Sequence, residues 1–194
     1  RTSFQGMLLL ASALSLMLLI ATGWNTWREI LGRMPDDPAL MYYEEHASSL
    51  ADGYEALTFE AAHPGLAAIM AAERATGKLR VLDIGAGTGR DAAWFATREH
   101  DVVAVEPSEA MRTVAQRFHR GLAIDWRDDH LPDLSTLHAS GETFDLIVVS
   151  AVWMHVRPVD RRQALQSIVD LLKSDGMLYL TLRLGPQEPD RGIY

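Results

Sequence analysis

Val81-Leu82-Asp83-Ile84-Gly85-Ala86-Gly87-Thr88-Gly89-Arg90 runs from an apolar stretch through three alternating glycines into a polar one. An apolar run that ends in a glycine-rich turn and reopens as the helix-forming segment Arg90–Glu99 reads as a strand–turn–helix unit. Glycines in such a turn permit positive φ and let a ligand approach the backbone with no Cβ in the way. Position 90 is arginine, so the spacing is G-x-G-x-G and not the G-x-G-x-x-G that seats a dinucleotide pyrophosphate. Asp83, just ahead of the turn, suits a ligand with a cationic end better than a diphosphate.

Outward from this unit, the runs Leu79–Ile84, Val102–Val105, Leu122–Ile124, Leu146–Val149 and Met177–Leu182 are short, rich in Val, Ile and Leu, and nearly uninterrupted. Strands buried on both faces read this way. Between them lie the helical segments Arg90–Glu99, Ser108–His119 and Asp160–Lys173, with Ser108 and Asp160 as expected N-caps and Gly176 soon after the last. The alternation predicts an α/β fold with a doubly wound, mainly parallel sheet. Upstream, residues 38–72 read as two helices. Tyr42, Tyr43, His46, Leu50 and Tyr54 recur at helical spacing, Gly53 interrupts, and alanine-rich Phe59–Glu73 forms the second.

The second predicted strand ends Val103-Ala104-Val105-Glu106-Pro107. An acid about 20 residues beyond the glycine turn is placed to accept hydrogen bonds from both hydroxyls of a ribose. The histidines at 46, 63, 100, 119, 130 and 138 show no ligand spacing, and the chain has no cysteine, so disulfides, thiolate zinc sites and cysteine nucleophiles are excluded and no metal site is expected. The net charge is -8, and Arg1, Arg28 and Arg33 outnumber Glu29 in residues 1–33, so the remainder is more acidic still. With no dense Lys/Arg stripe, nucleic acid is not an expected partner.

Residues 79–183 resemble a class I, Rossmann-like S-adenosylmethionine-dependent methyltransferase of the small-molecule type. The resemblance implies that Gly85, Ala86, Gly87 and Gly89 wrap the methionine part of the cofactor, that Asp83 lies close to its amino group, and that Glu106, followed by Pro107, holds the ribose. Asp125-Trp126-Arg127-Asp128-Asp129-His130-Leu131-Pro132, after the third strand, is similar to the segment that contacts adenine, with Asp128 the acid chosen and Trp126 either stacked on the base or buried structurally. Phe144–Ser150 is similar to the fourth strand, which brings Ser150 to the cofactor. In Ala151-Val152-Trp153-Met154-His155-Val156, His155 is the general base where the acceptor needs one, or else a packing residue. Leu171–Gly176 resembles the turn before strand five. Tyr42, Tyr43 and Tyr54 either form a lid or pack in the core. No Asn/Asp-Pro-Pro-Tyr sequence follows the fourth strand, which removes the usual signature of amino methylation on DNA bases.

The implied strand order is 3-2-1-4-5, with strands six and seven of the complete fold missing from the sequence. An uncovered fifth strand is an apolar sheet edge, so a partner chain covering it, or poor solubility of the isolated chain, is expected. Met7–Thr22, MLLLASALSLMLLIAT, carries no charge and is long enough, with Gly23-Trp24, to reach the lower limit for crossing a bilayer. Three readings compete: a signal anchor, a cleaved signal sequence, and upstream sequence foreign to the functional protein. Met34-Pro35-Asp36-Asp37 reads as a natural start, which favours the third and divides the chain into an apolar segment 1–33 and a methyltransferase domain 34–194. The expected activity is methyl transfer from S-adenosylmethionine to a small-molecule acceptor in the cytoplasm. The alternatives are a non-catalytic cofactor-binding regulatory module, or a membrane-tethered enzyme acting on a lipid or quinone with its domain in the cytoplasm.

Overall fold

The apolar run ahead of the glycine turn forms β1 (Arg80–Ile84), the central strand in a computed structural model that describes residues 37–72 and 77–194. β2 (Asp101–Val105) pairs with β1 in parallel from Arg80↔Asp101 to Ile84↔Val105, and β4 (Phe144–Val149) pairs on its other side from Val81↔Leu146 to Ile84↔Val149. β3 (Ile124–Arg127) and β5 (Leu172–Leu180) complete a parallel sheet in the order β3-β2-β1-β4-β5. The expected α/β fold and strand order are thus found.

Both faces of the sheet are covered, and the pleat divides the core in two. Leu82, Ile84, Val103, Val105, Ile147 and Val149 pack on one face with Leu134, Leu137, Ile168 and Leu171. Val81, Val102, Ala104, Leu146 and Val148 pack on the other with Phe59, Leu66, Ala92 and Phe95. Full burial of such a side chain contributes about 1.5–3 kcal/mol, which explains why successive residues of each inner strand are apolar. Because the strands are parallel, the loops after β1, β2, β3 and β4 emerge at one edge, where ligands bind in open α/β sheets.

The N-terminal helices differ from expectation in their breaks. α1 (Pro38–Glu55) runs straight through Gly53. Its buried Ala47 and Ala51 pack on Met111 and Val114 of α5 (Glu109–Phe118), and that tertiary contact offsets the roughly 1 kcal/mol cost of a helical glycine. The chain turns instead at Thr58, whose side chain accepts from Ala61 N (3.2 Å) and caps α2 (Phe59–Ala62). His63 ends α2 and Pro64 opens α3 (Pro64–Ala72), splitting the single helix expected there, because the residue before a proline is driven out of helical geometry.

α4 (Arg90–Ala96) follows the glycine turn, α6 (Ser135–Ser140) lies between β3 and β4, and α7 (Arg161–Asp170) precedes β5. α6 has no counterpart in the sequence reading. Ser108 caps α5 as expected, its Oγ accepting from Met111 N (3.1 Å), but Asp160 makes no side-chain cap and is held by Arg157 at 2.6 Å. β3 begins later than Leu122 and takes in Asp125, Trp126 and Arg127, so the first three residues of the segment read as following the strand belong to it. β5 starts at Leu172, opposite Phe144, and shifts register before Met177, which turns the expected preceding turn into an irregularity within the strand. Among the described residues no helix is long and apolar enough to cross a membrane, and the apolar segment 7–24 lies outside them.

Candidate cofactor site

The glycine turn is pinned to the end of β2: Gly85 N and Ala86 N both donate to Val105 O (2.8 and 2.9 Å). Gly85, Gly87 and Gly89 have φ of 69°, 56° and 86°, the left-handed region that glycine occupies without strain. At Gly89 space is restricted as well. A Cβ there would lie 2.6 Å from Trp126 and 2.9 Å from His119, so the absent side chain lets the turn close on those rings. Trp126 is therefore partly committed to packing against the turn.

Asp83 is 2% exposed, and its Oδ2 has no hydrogen-bond partner within the protein. Burial, reinforced by the charge of Asp91, pushes its carboxyl well above the usual range. Leaving a buried carboxylate oxygen unpaired costs more than a typical hydrogen bond returns, so the atom is built for a donor that is not part of the chain. Glu106 lies beside it at the end of β2. Its Oε2 accepts from Gly87 N and its Oε1 from Ser108 N, each at 2.9 Å, and burial raises its pKa in spite of those bonds. Each oxygen retains a second lone pair, as a contact to ribose hydroxyls requires. Pro107, half-buried, leads into the capped start of α5.

The segment after β3 sorts its two acids. Asp129 is buried and accepts from His130 N (2.9 Å), Thr136 N (2.8 Å) and Leu137 N (3.0 Å), so it anchors the first turn of α6. Asp128 stands at the surface, 3.6 Å from the Arg112 guanidinium. Arg112 also donates to Glu106 O at 2.5 Å, which ties Asp128 to the Glu106 end of β2.

Beyond β4, Ser150 Oγ lies 3.3 Å from His63 Nε2. His155 sits in a 3-10 turn, Trp153–His155. Its Nδ1 donates to Gly192 O (2.8 Å), which leaves Nε2 as an acceptor, and the Tyr43 hydroxyl donates to it at 3.2 Å. Burial raises the Tyr43 phenol well above its ordinary value, with Tyr54 and Glu106 adding to the effect. Of the three tyrosines read as a lid, Tyr43 reaches the site, while Tyr42 stacks on His46 and carries Arg191 over its ring.

His63 is the site residue that sequence reasoning missed. It is 3% exposed, donates to Asp91 Oδ2 at 2.8 Å, and lies 3.3 Å from Arg90 Nη2. Burial alone would raise Asp91, but hydrogen bonds from His63 and Arg90 outweigh it and hold that carboxyl low. These partners are 27 and 28 positions away, and nothing in the local sequence around His63 announces them. No group of three or more His, Cys, Asp or Glu among the described residues could hold a metal ion.

Residues 81–176 match the family model described as a methyltransferase domain. An uncharacterized methyltransferase of Staphylococcus carnosus is 31% identical over 105 residues, which cover 54% of this chain and 47% of that protein. The chain spans about half the length of the curated relatives it matches. Among solved structures, a TehB-like SAM-dependent methyltransferase from Corynebacterium glutamicum superposes with a TM-score of 0.53 at 24% identity, covering 69% of this chain and 71% of that one. A complex of DhpI with SAM and HEP superposes at 0.51 with 25% identity, covering 73% of this chain and 62% of that one.

Proposed function

The chain carries a methyltransferase domain of the S-adenosylmethionine-dependent, Rossmann-like family, and from that premise we propose that it transfers a methyl group to a small-molecule acceptor in the cytoplasm. The observation that carries the cofactor reading is the buried, unpartnered Oδ2 of Asp83 next to a glycine cradle and a second buried acid. A carboxylate oxygen that the chain leaves unpaired suits an ammonium group, and the two lone-pair-bearing oxygens of Glu106 suit a diol. When bound, the cofactor supplies an electrophilic methyl group on a sulfonium.

The chain's own residues bind, orient and exclude water. Gly85, Ala86, Gly87 and Gly89 bring the backbone close to the amino-acid end, and Asp83 takes its ammonium. Glu106, followed by Pro107, takes the ribose, Asp128 the adenine amino group, and Ser150 closes the site at the end of β4. Alignment of reactants within near-attack distance contributes several kcal/mol or more to such displacements. The similar fold of DhpI, whose complex contains SAM and HEP, supports S-adenosylmethionine as the ligand. The test is calorimetric titration of S-adenosylmethionine into the full chain. Saturable 1:1 binding is expected, and a folded chain that takes up no heat would refute the reading.

His155 is proposed as the general base. Gly192 O fixes the proton on Nδ1, so the basic lone pair is on Nε2, where Tyr43 donates. An acceptor hydroxyl that replaced the Tyr43 hydroxyl would find that lone pair ready for its proton. General-base removal typically costs about 10²–10⁴-fold in rate. His155→Ala is therefore expected to slow release of S-adenosylhomocysteine by roughly 10²-fold or more, with cofactor affinity within about threefold of wild type. An unchanged rate with a protic acceptor would assign His155 to packing alone.

A further inference from the structure

Residues 188–194 fold back as a strap beside His155. Glu188 N donates to Ile193 O (2.9 Å) and Ile193 N to Glu188 O (3.0 Å), so the strap closes on itself. Tyr194 N donates to Met154 O (2.9 Å), in the turn that carries His155, and Gly192 O is the acceptor that fixes the proton on His155 Nδ1. Gly192 also approaches α1 so closely that a Cβ would stand 2.8 Å from Ala39 N.

Arg191 is the cation of this strap, one residue from the carbonyl that orients His155. Its guanidinium carbon lies 4.6 Å from the centre of the Tyr42 ring, and the Tyr42 and Tyr43 phenols are close enough to act on its charge. The Tyr43 hydroxyl is the group that donates to His155 Nε2 at 3.2 Å. Arg191 therefore stands near the hydroxyl that an acceptor would displace.

Two observations leave this guanidinium with capacity to spare. Nη1 donates to Glu188 Oε2 at 2.8 Å, but Glu188 Oε1 is taken by Arg183 Nη2 at 2.5 Å, so two cations share one carboxylate. Asp190, the other acid of the strap, pairs with neither. The Arg191 side chain is 42% exposed, yet its Nε is buried and has no hydrogen-bond partner among the described residues. A buried N–H without an acceptor costs more than a typical hydrogen bond returns, so the atom suits an acceptor that is not part of the chain. The net charge of -8 repels anions only over a Debye length of about 10 Å, and within it the local pair of guanidiniums decides.

We propose that Arg191 binds an oxyanion group on the methyl acceptor, which makes the acceptor a small hydroxy acid whose hydroxyl replaces that of Tyr43 on His155. The assignment rests on the methyltransferase and general-base readings above and supplies the substrate class that they leave open. A guanidinium already stacked on Tyr42 and held by Glu188 loses little freedom on gripping the anion.

The test saturates the full chain with S-adenosylhomocysteine, followed by calorimetry, and then titrates in glycolate, lactate and 4-hydroxybenzoate, each beside its primary amide. The amide keeps the hydroxyl and the shape and lacks the charge. The readout is the His155 ring resonance by NMR, assigned by its loss in His155→Ala. At least one acid is expected to shift that resonance saturably and to bind about tenfold tighter than its amide, the yield of one charge-assisted contact. Arg191→Gln should weaken that acid about tenfold, leave the amide within roughly twofold, and so erase the preference. Glu188→Gln removes the competing carboxylate and should tighten the acid by roughly threefold.

A wild type that prefers no acid to its amide would overturn the proposal, as would a preference that survives in Arg191→Gln. Binding of the acid without movement of the His155 signal would place it elsewhere and overturn the proposal too. Equal weakening of acid and amide in Arg191→Gln has the same force, because Arg191 would then only hold the strap. If thermal melts show Arg191→Gln unfolded, Glu188→Gln decides, and an acid affinity unchanged or lowered overturns the proposal. A folded wild type that takes up no S-adenosylhomocysteine removes the cofactor reading itself, an outcome distinct from cofactor binding without acid preference.

Discussion

Asp83→Asn is expected to weaken S-adenosylmethionine binding by about a hundredfold, close to 2.8 kcal/mol, while making the ligand-free chain more stable at neutral pH. The first effect follows from removing the charge that the unpaired Oδ2 offers to an ammonium. The second follows from linkage. Burial lifts the Asp83 carboxyl above its ordinary value, so the folded chain holds a proton that the unfolded chain has released. Stability therefore falls as pH rises from the ordinary carboxylate range through the raised value. Asparagine has no such proton and should flatten that decline. Thermal melts between pH 4.5 and 8, with and without the ligand, would display both effects. The wild type should lose stability with rising pH when alone and recover it with ligand, and the variant should do neither. A variant less stable than wild type at pH 8 without ligand would contradict the account. The opposed directions are those of a site residue kept at the expense of the fold.

Gly89→Val is expected to lower stability by about 3 kcal/mol and to abolish detectable cofactor binding. At φ 86° a β-branched residue is strained, and its Cβ would stand 2.6 Å from Trp126 and 2.9 Å from His119. Both neighbours are rings held in place, Trp126 within β3 and His119 beside Glu55 at 3.4 Å, so neither yields as a flexible chain end would. The turn must then open, which pulls Gly87 N from Glu106. Gly53→Ala is the matched control. A Cβ there meets nothing within 4 Å on a helix, and the substitution should raise stability by up to about 1 kcal/mol with binding unchanged. Chemical denaturation of both variants reads the contrast, and a Gly89→Val chain as stable as wild type would show that the closure of the turn is unimportant.

What could be read from the sequence was whatever depends on short range. The inner strands declare themselves through nearly unbroken apolar runs, because burial on two faces leaves little room for polar alternates. The glycine turn, Asp83 and Glu106 were legible through spacing, since parallel strands with a short crossover set a fixed separation between their ends. β3 was misplaced because an edge strand needs only half a buried face, and Ile124-Asp125-Trp126-Arg127 looks polar in isolation. The persistence of α1 through Gly53 depends on Met111 and Val114, far along the chain. The same holds for the site. His63 could not be found by inspection because its partners come from α4 and from Ser150 just beyond β4, and the role of Gly192 in fixing the proton of His155 spans 37 positions.

The double commitment of Glu106 has a consequence for how the two ends of the ligand communicate. One carboxylate holds the amide of Gly87, in the turn proposed to wrap the amino-acid end, and the amide of Ser108, at the start of the helix proposed to lie beside the ribose. The pocket is therefore not a pair of independent compartments. Filling the nucleoside half settles Glu106 and with it the turn, so a methionine-like fragment should bind more tightly when a nucleoside fragment is already present. By thermodynamic reciprocity the converse enhancement must be equal. Selection acting on one half of the ligand thus also reshapes the affinity for the other.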